Sequence, residues 1–130
     1  MSDLILVVED NLTNQLLTTS VLMRDGFEAD VADCAEDALE FLKRRRPDLI
    51  LMDVQLPGMD GLTFTRMLRS VPEAAGIPVV ALTSHAMMGD RETALAAGCA
   101  AYMSKPIDTR TLSADLRAIL EQFRQPALSA

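Results

Sequence analysis

The chain has 130 residues, 49% of them hydrophobic and 24% charged, a balance typical of one globular domain rather than a disordered segment. Its 19 acidic residues outnumber its 12 lysines and arginines, and the net charge of −7 argues against direct binding to nucleic acid. Two cysteines are too few for a disulfide framework, and we find neither a signal-peptide pattern nor a membrane-spanning stretch, so we expect a soluble cytoplasmic protein with reduced thiols.

Five short runs of residues predict the strands of a β-sheet. They cover 4–8, 27–33, 49–53, 77–82 and 99–103. Short apolar runs bounded by turn residues are typical of strands that are buried on both faces. The second run is more polar than the others, which is typical of a strand at the edge of a sheet.

The first helix is predicted between the first two strands. Leu12, Leu16 and Met23 repeat on one stripe, with Leu17 and Val21 beside it, which predicts the apolar face of an amphipathic helix. A capping side chain at Asn11 is expected to begin this helix. The second helix is expected to begin at 33–36, whose Asp-Cys-Ala-Glu sequence resembles a capping box.

Three further helices are predicted in the second half of the chain. The segment 85–97 is the weakest of them, because Gly89 interrupts it and Leu95 is the only large aliphatic residue in its second half. The other two have regular apolar stripes: Phe64, Met67, Leu68 and Val71 in one, and Leu112, Leu116, Ile119, Leu120 and Phe123 in the other.

Strand and helix therefore alternate five times with short connections. This pattern predicts an α/β fold, (βα)5, with a doubly wound parallel sheet that carries helices on both faces. We expect one domain over residues 1–124, followed by a frayed tail over 125–130.

Polar side chains follow four of the predicted strands. Glu9 and Asp10 follow the first strand, Asp53 ends the third, Thr83 follows the fourth and Lys105 follows the fifth. The carboxyl ends of parallel strands open onto one crevice, so these side chains are expected to converge there.

Such a group of side chains suits phosphoryl transfer to a carboxylate. Three crowded carboxylates repel one another, so either one is protonated or a cation is bound, and hard oxygen donors with room for water are what Mg²⁺ prefers. A lysine beside them can neutralise phosphoryl oxygens, and a threonine adds a hydroxyl donor. The pattern predicts a carboxylate that accepts a phosphoryl group.

With these residues the chain resembles the receiver domain of two-component response regulators, the CheY-like superfamily, over essentially its whole length. The resemblance implies the flavodoxin-like strand order 2-1-3-4-5 and a phosphoacceptor role for Asp53, which would take its phosphoryl group from a phosphohistidine. It also implies Mg²⁺ ligation by Asp10, Asp53 and the backbone carbonyl of Gln55, with Glu9 acting through water. Lys105 would contact the phosphoryl oxygens, and its bond to Pro106 would be cis.

The resemblance also implies a switch and partners. Thr83 would move toward the phosphoryl group and Tyr102 would swing inward, changing the face formed by the fourth helix, the fifth strand and the fifth helix. The expected partners are a histidine kinase or histidine phosphotransferase and a downstream protein, with no nucleic acid or membrane, for a monomer or weak dimer. No output domain follows residue 130 in this sequence, so we expect output through protein contact or onward phosphotransfer.

Two stretches of sequence, 52–57 and 86–90, are similar to those of the DivK-like subgroup of single-domain regulators. Receivers attached to hybrid kinases have similar sequences in these stretches.

Other functions fit less well. A haloacid dehalogenase-type phosphatase needs a second acid two residues after the nucleophile, where this chain has Gln55. A flavodoxin would place its phosphate loop at Glu9 and Asp10, which repel phosphate. An unphosphorylated docking module remains an alternative.

Overall fold

The computed structural model of the chain describes residues 2–72, 74–83 and 90–124, within which five strands and five helices alternate. In chain order they are β1 (Leu4–Val8), α1 (Leu12–Arg24), β2 (Glu28–Ala32), α2 (Ala35–Arg44), β3 (Leu49–Asp53), α3 (Gly61–Arg69), β4 (Val79–Thr83), α4 (Asp90–Ala96), β5 (Ala101–Ser104) and α5 (Leu112–Arg124).

The strands form one parallel sheet in the order β2-β1-β3-β4-β5, which confirms the predicted fold. Every residue of the three central strands is buried, whereas β2 at one edge buries only its last residue, Ala32, and leaves the others exposed or partly buried, as its polar sequence predicts. The fourth strand begins at Val79, two residues later than expected. Pro78 cannot extend the ladder because it has no N–H, although its carbonyl accepts a bond from Ile50.

Alternate residues of the central strands point into two separate cores. Ile50 and Met52 belong to a core covered by α2, α3 and α4, and Leu49 and Leu51 belong to the core covered by α1 and α5. Because successive side chains of a strand point to opposite faces, continuous apolar strands can supply both cores at once. The sheet is thereby covered by helices on both faces, and side chains at its carboxyl edge stand on a packed support.

The predicted apolar face of α1 is wrong. The large side chains of that stripe lie in solvent: Leu12 is 66% exposed, Leu16 59% and Met23 62%. The helix instead buries a face formed by Gln15, Thr18, Val21 and Leu22. Val21 is the one residue of the predicted set that is buried, and Leu17 is 43% exposed. Both sides of this helix carry apolar residues, so helical period alone could not choose between them.

The predicted capping box of α2 is also wrong. Cys34, and not Asp33, is the residue before the first helical turn, and its side chain makes no capping hydrogen bond. Asp33 is instead bonded to a side chain of α1 that is described below. The cap predicted for α1 is confirmed, since the side chain of Asn11 accepts from the backbone N–H of Asn14 at 2.9 Å.

The last helix buries most of its predicted stripe. Leu112, Leu116 and Leu120 are buried, whereas Phe123 is 48% exposed near the C-terminus of the helix. The predictions for Gly89 and for the tail at 125–130 fall outside the described residues. Among the helices that the structure describes, none is long and apolar enough to cross a membrane.

Candidate functional site

Three carboxylates meet at the carboxyl edge of the sheet. Glu9 and Asp10 directly follow β1, Asp53 ends β3, and these two strands are hydrogen-bonded neighbours. One carboxylate oxygen from each residue lies within 4.8 Å of the other two. We call Glu9, Asp10 and Asp53 the acidic cluster. Its formation confirms that these strand ends converge.

Lys105 follows the edge strand β5, and its side chain reaches the acidic cluster. Its Nζ donates to Oε1 of Glu9 at 2.9 Å and to Oδ2 of Asp53 at 2.8 Å. The two carboxylate side chains are only 4% and 5% exposed, and the lysine side chain is 17% exposed. The lysine therefore supplies positive charge where two buried carboxylates would otherwise repel each other. Its peptide bond to Pro106 is cis, as predicted.

Burial and pairing act against each other on the ionisable groups here. Burial raises the pKa of Glu9, outweighing the hydrogen bonds from Lys105 and from the backbone of Asn11 that favour its charged form. Burial also acts to lower the pKa of Lys105, but the hydrogen bonds and charges of Asp53 and Glu9 outweigh it, so that pKa is raised. The lysine is therefore charged at neutral pH, and the raised pKa makes the buried carboxyl of Glu9 harder to ionise than an ordinary glutamate.

The second oxygen of Asp53 is held by the loop that follows β3. The backbone N–H of Gln55 donates to Oδ1 of Asp53 at 2.9 Å, while the side chain of Gln55 is exposed. The same loop ends at Asp60, whose carboxylate caps α3 by accepting from the N–H groups of Leu62 and Thr63. Ligation of a metal by the Gln55 carbonyl stays a prediction.

Thr83 and Tyr102 lie on the strands beside the acidic cluster. Thr83 is the last residue of β4 and is 5% exposed, and its carbonyl accepts from the backbone N–H of Lys105 at 2.7 Å. Tyr102 is on the edge strand β5, partly buried against the core that α4 covers. The structure thus places both residues on the path from the acidic cluster to the edge of the sheet, and their roles in a switch stay predictions.

The donor atoms of the acidic cluster suit a hard divalent cation. All three are carboxylate oxygens, and Asp10 is exposed, which leaves one side open to water. Mg²⁺ prefers such a set, with one or two carboxylates and several retained water molecules. The residues present therefore fit the predicted metal ion.

Two residues that sequence reasoning gave no role at this site contact Glu9. The backbone N–H of Asn11 donates to Oε2 of Glu9 at 3.1 Å, and Nε2 of Gln15 donates to its backbone carbonyl at 2.5 Å. Asn11 could have been found from its place beside the acidic pair. One weak indication in the sequence pointed to Gln15. It is spaced at i, i+3 and i+7 with Thr18 and Leu22, so the three residues share one face of α1.

An acidic cluster and a lysine at the carboxyl edge of a 2-1-3-4-5 parallel sheet together define a class of signalling proteins. The chain belongs to the response regulator receiver domain family, whose model matches residues 5–117. Among its curated relatives is the polar-differentiation response regulator DivK. The DivK of Brucella anthropi is 43% identical over 103 residues, covering 79% of this chain and 84% of the relative. The DivK of Brucella ovis is 41% identical over 107 residues, with 82% and 87% covered.

Solved structures support the same family. The receiver domain of a sensor histidine kinase from Pseudomonas aeruginosa is 36% identical, with a TM-score of 0.80 over 95% of this chain and 98% of that one, and it has a magnesium ion coordinated in its active site cleft. A putative response regulator from Chloroflexus aurantiacus is 29% identical, with a TM-score of 0.88 over 93% of this chain and 99% of that one. The predicted family, strand order and DivK-like resemblance are therefore confirmed.

Proposed function

We propose that this chain is a response regulator that accepts a phosphoryl group on Asp53 in a Mg²⁺-dependent reaction. The observation that carries the proposal is the Asp53 carboxylate, held by Lys105 and by the Gln55 N–H inside a cluster of three carboxylates. Both oxygens of this buried carboxylate accept hydrogen bonds. An aspartate that only began a turn would not need to be held at both oxygens. The magnesium-containing receiver from Pseudomonas aeruginosa supports the choice of metal.

The proposed donor is a phosphohistidine of a histidine kinase or histidine phosphotransferase. An oxygen of Asp53 attacks phosphorus, the P–N bond breaks, and its electron pair returns to the imidazole, which takes up a proton. Asp10, Asp53 and the backbone carbonyl of Gln55 would hold Mg²⁺, with Glu9 acting through water, and the ion would supply positive charge to the phosphoryl oxygens. Lys105 supplies a second positive charge at the same carboxylate.

The donor must approach along the rim of the acidic cluster. A cleft of about 300 Å³ runs between α1 and the segment after β5, and Leu17, Lys105 and Ile107 are among the residues that line it. Leu17 is 43% exposed although it is apolar. An exposed leucine in the cleft that Lys105 also lines is suited to contact a protein donor, since burial of apolar surface favours association.

The proposed output is a change of the face formed by α4, β5 and α5. Thr83 and Tyr102 would couple this face to the phosphoryl group. Support comes from the packing of α4, which buries Ala94 in the core but leaves Leu95 43% exposed. A helix that is anchored by small side chains costs little to shift. The partner reading this face would be a downstream protein.

The test is intact mass after incubation with acetyl phosphate, with Mg²⁺ and with EDTA. Wild type is expected to gain one alkali-labile phosphoryl group only with Mg²⁺, and Asp53→Asn is expected to gain none. Asp60→Asn is the matched control, because Asp60 is an exposed cap seven residues away whose substitute can still cap α3. If wild type gains no phosphoryl group and beryllofluoride shifts no resonance of Thr83 or Tyr102, the proposal fails and a docking module remains.

A further inference from the structure

The side chain of Gln15 lies between two oxygen acceptors at the margin of the acidic cluster. Its Nε2 donates to the backbone carbonyl of Glu9 at 2.5 Å and to Oδ1 of Asp33 at 2.6 Å. Carbonyl and carboxylate oxygens only accept, so the amide nitrogen must face them and both of its protons are used. Gln15 is 8% exposed, so these bonds are made largely away from water.

The bond to Glu9 fixes a peptide plane that the acidic cluster depends on. The carbonyl of Glu9 and the N–H of Asp10 belong to the same planar peptide unit, so holding one sets the direction in which the chain enters Asp10. The other hydrogen bonds of Glu9 involve its carboxylate and its N–H, and not its carbonyl. Its carboxylate is bound by Lys105 and by the N–H of Asn11, and its own N–H donates to Ala32 at 3.0 Å.

We infer that Gln15 is a positioning residue for the metal site, which orients Asp10 through the Glu9 carbonyl while Asp33 holds the amide in place. This inference rests on the proposed function, because it concerns the site where Mg²⁺ would bind. It also explains why a polar side chain occupies the inner face of α1 while Leu12 and Leu16 lie outside. A leucine at position 15 would leave the Glu9 carbonyl without its donor.

The test is the dissociation constant for Mg²⁺, measured by titrating the isotope-labelled full chain with MgCl₂ and following amide resonances. Gln15→Met keeps the size and helix propensity of the side chain but removes both donors. We expect its affinity for Mg²⁺ to fall by about 10- to 100-fold, the usual loss when a residue that orients a metal ligand is removed. Thr18→Val is the control, because Thr18 is buried on the same face of α1 and is 4% exposed. Its affinity is expected to stay within about twofold of wild type.

A second variant covers a failure of Gln15→Met to fold, which the same spectra would reveal. Gln15→Asn keeps an amide but withdraws it by one methylene, so it cannot reach the Glu9 carbonyl and is expected to lose affinity similarly. Wild-type affinity in whichever variant folds would overturn the inference and leave the proposed function intact. If wild type itself does not bind Mg²⁺, the magnesium part of the proposed function fails, which is a different result.

Discussion

Gly61, the first residue of α3, packs directly against the backbone carbonyl oxygen of Asp53. A Cβ built at position 61 would lie 2.6 Å from that oxygen and 2.8 Å from Cε of Met52. The N–H of Gly61 also donates to the carbonyl of Val54 at 3.0 Å. The start of α3 is therefore pressed onto the end of β3, and the absence of a side chain at this glycine lets the loop after Asp53 close so tightly.

This contact predicts that Gly61→Ala destabilises the fold. The added methyl group meets backbone, which cannot move aside easily, so we expect a loss of about 1–3 kcal/mol in the free energy of unfolding. Gly76→Ala is the matched control, because a Cβ there would lie 3.5 Å from the Arg46 guanidinium, an ordinary contact. Urea denaturation of both variants checks the prediction, and equal stabilities would contradict it.

Lys105→Met tests what the lysine contributes before any metal binds. The variant leaves the buried carboxylates of Glu9 and Asp53 facing each other, and we expect it to lose on the order of 2 kcal/mol of unfolding free energy without Mg²⁺. Adding Mg²⁺ should restore more stability to the variant than to wild type. Without the charge of the lysine nearby, the carboxylates should bind the cation more tightly, and tighter binding to the folded state stabilises it more. Urea denaturation with and without MgCl₂ measures both effects.

The control for that experiment is Lys43→Met. Lys43 pairs with Glu40, but these side chains are 71% and 67% exposed, so we expect a change below about 0.5 kcal/mol.

The stability of the fold should also depend on pH in the alkaline range. The pKa of Lys105 is raised above its ordinary value of 10.5. The stability that Lys105 contributes to the fold is therefore complete below pH 10.5 and is lost as pH rises through the higher folded-state pKa. Lys105→Met should lack this alkaline loss.

Asp25 is expected to make stability depend on pH in the acid range. Hydrogen bonds from the Arg24 guanidinium, at 2.9 and 2.8 Å, lower the pKa of this carboxyl from 3.8 to about 2. Its stabilisation is therefore complete above the unfolded-state pKa and is lost as pH falls from about 4 through 2. Asp25→Asn should be less stable than wild type at pH 6, with the difference shrinking at pH 2.5. A difference that does not change with pH, by urea denaturation, would contradict this.

Much of this architecture could be predicted from the sequence because it depends on short-range patterns. The bounds of β1 and β3 match the predicted ones, since uniformly apolar runs that end in carboxylates can be recognised without neighbours. The convergence of Glu9, Asp53 and Lys105 followed from parallel topology alone, because that topology places every strand end at one edge.

The orientation of α1 could not be predicted, because it depends on a contact between residues that are not local. Gln15 is buried since it bonds to the Glu9 carbonyl and to Asp33, and Asp33 belongs to a segment 18 residues away. The same contact takes Asp33 away from the capping role expected at α2. Helical periodicity measures apolar residues only, so it selected the stripe with Leu12 and Leu16, which are exposed.

The exposed leucine beside the acidic cluster leads to a prediction about the phosphoryl donor. Leu17→Gln removes apolar surface from the cleft that Lys105 also lines, so it should slow transfer from a phosphorylated histidine kinase that phosphorylates wild type. We expect a loss of about 1 kcal/mol or more in transition-state binding, roughly fivefold in the transfer rate. Labelling by acetyl phosphate should not change, because a small donor does not need the protein contact.

Leu95→Gln is the matched control, because Leu95 is a helical leucine with the same exposed fraction of 43%, but on α4. If exposure alone mattered, both variants would slow transfer equally, and donor docking over Leu17 would be contradicted. If Leu17→Gln slows both the kinase reaction and the acetyl phosphate reaction, the substitution disturbs Lys105 or Asp53 rather than docking. Slower transfer from the kinase alone, in the Leu17 variant alone, would place the donor along α1 and leave the face of α4, β5 and α5 for the downstream partner.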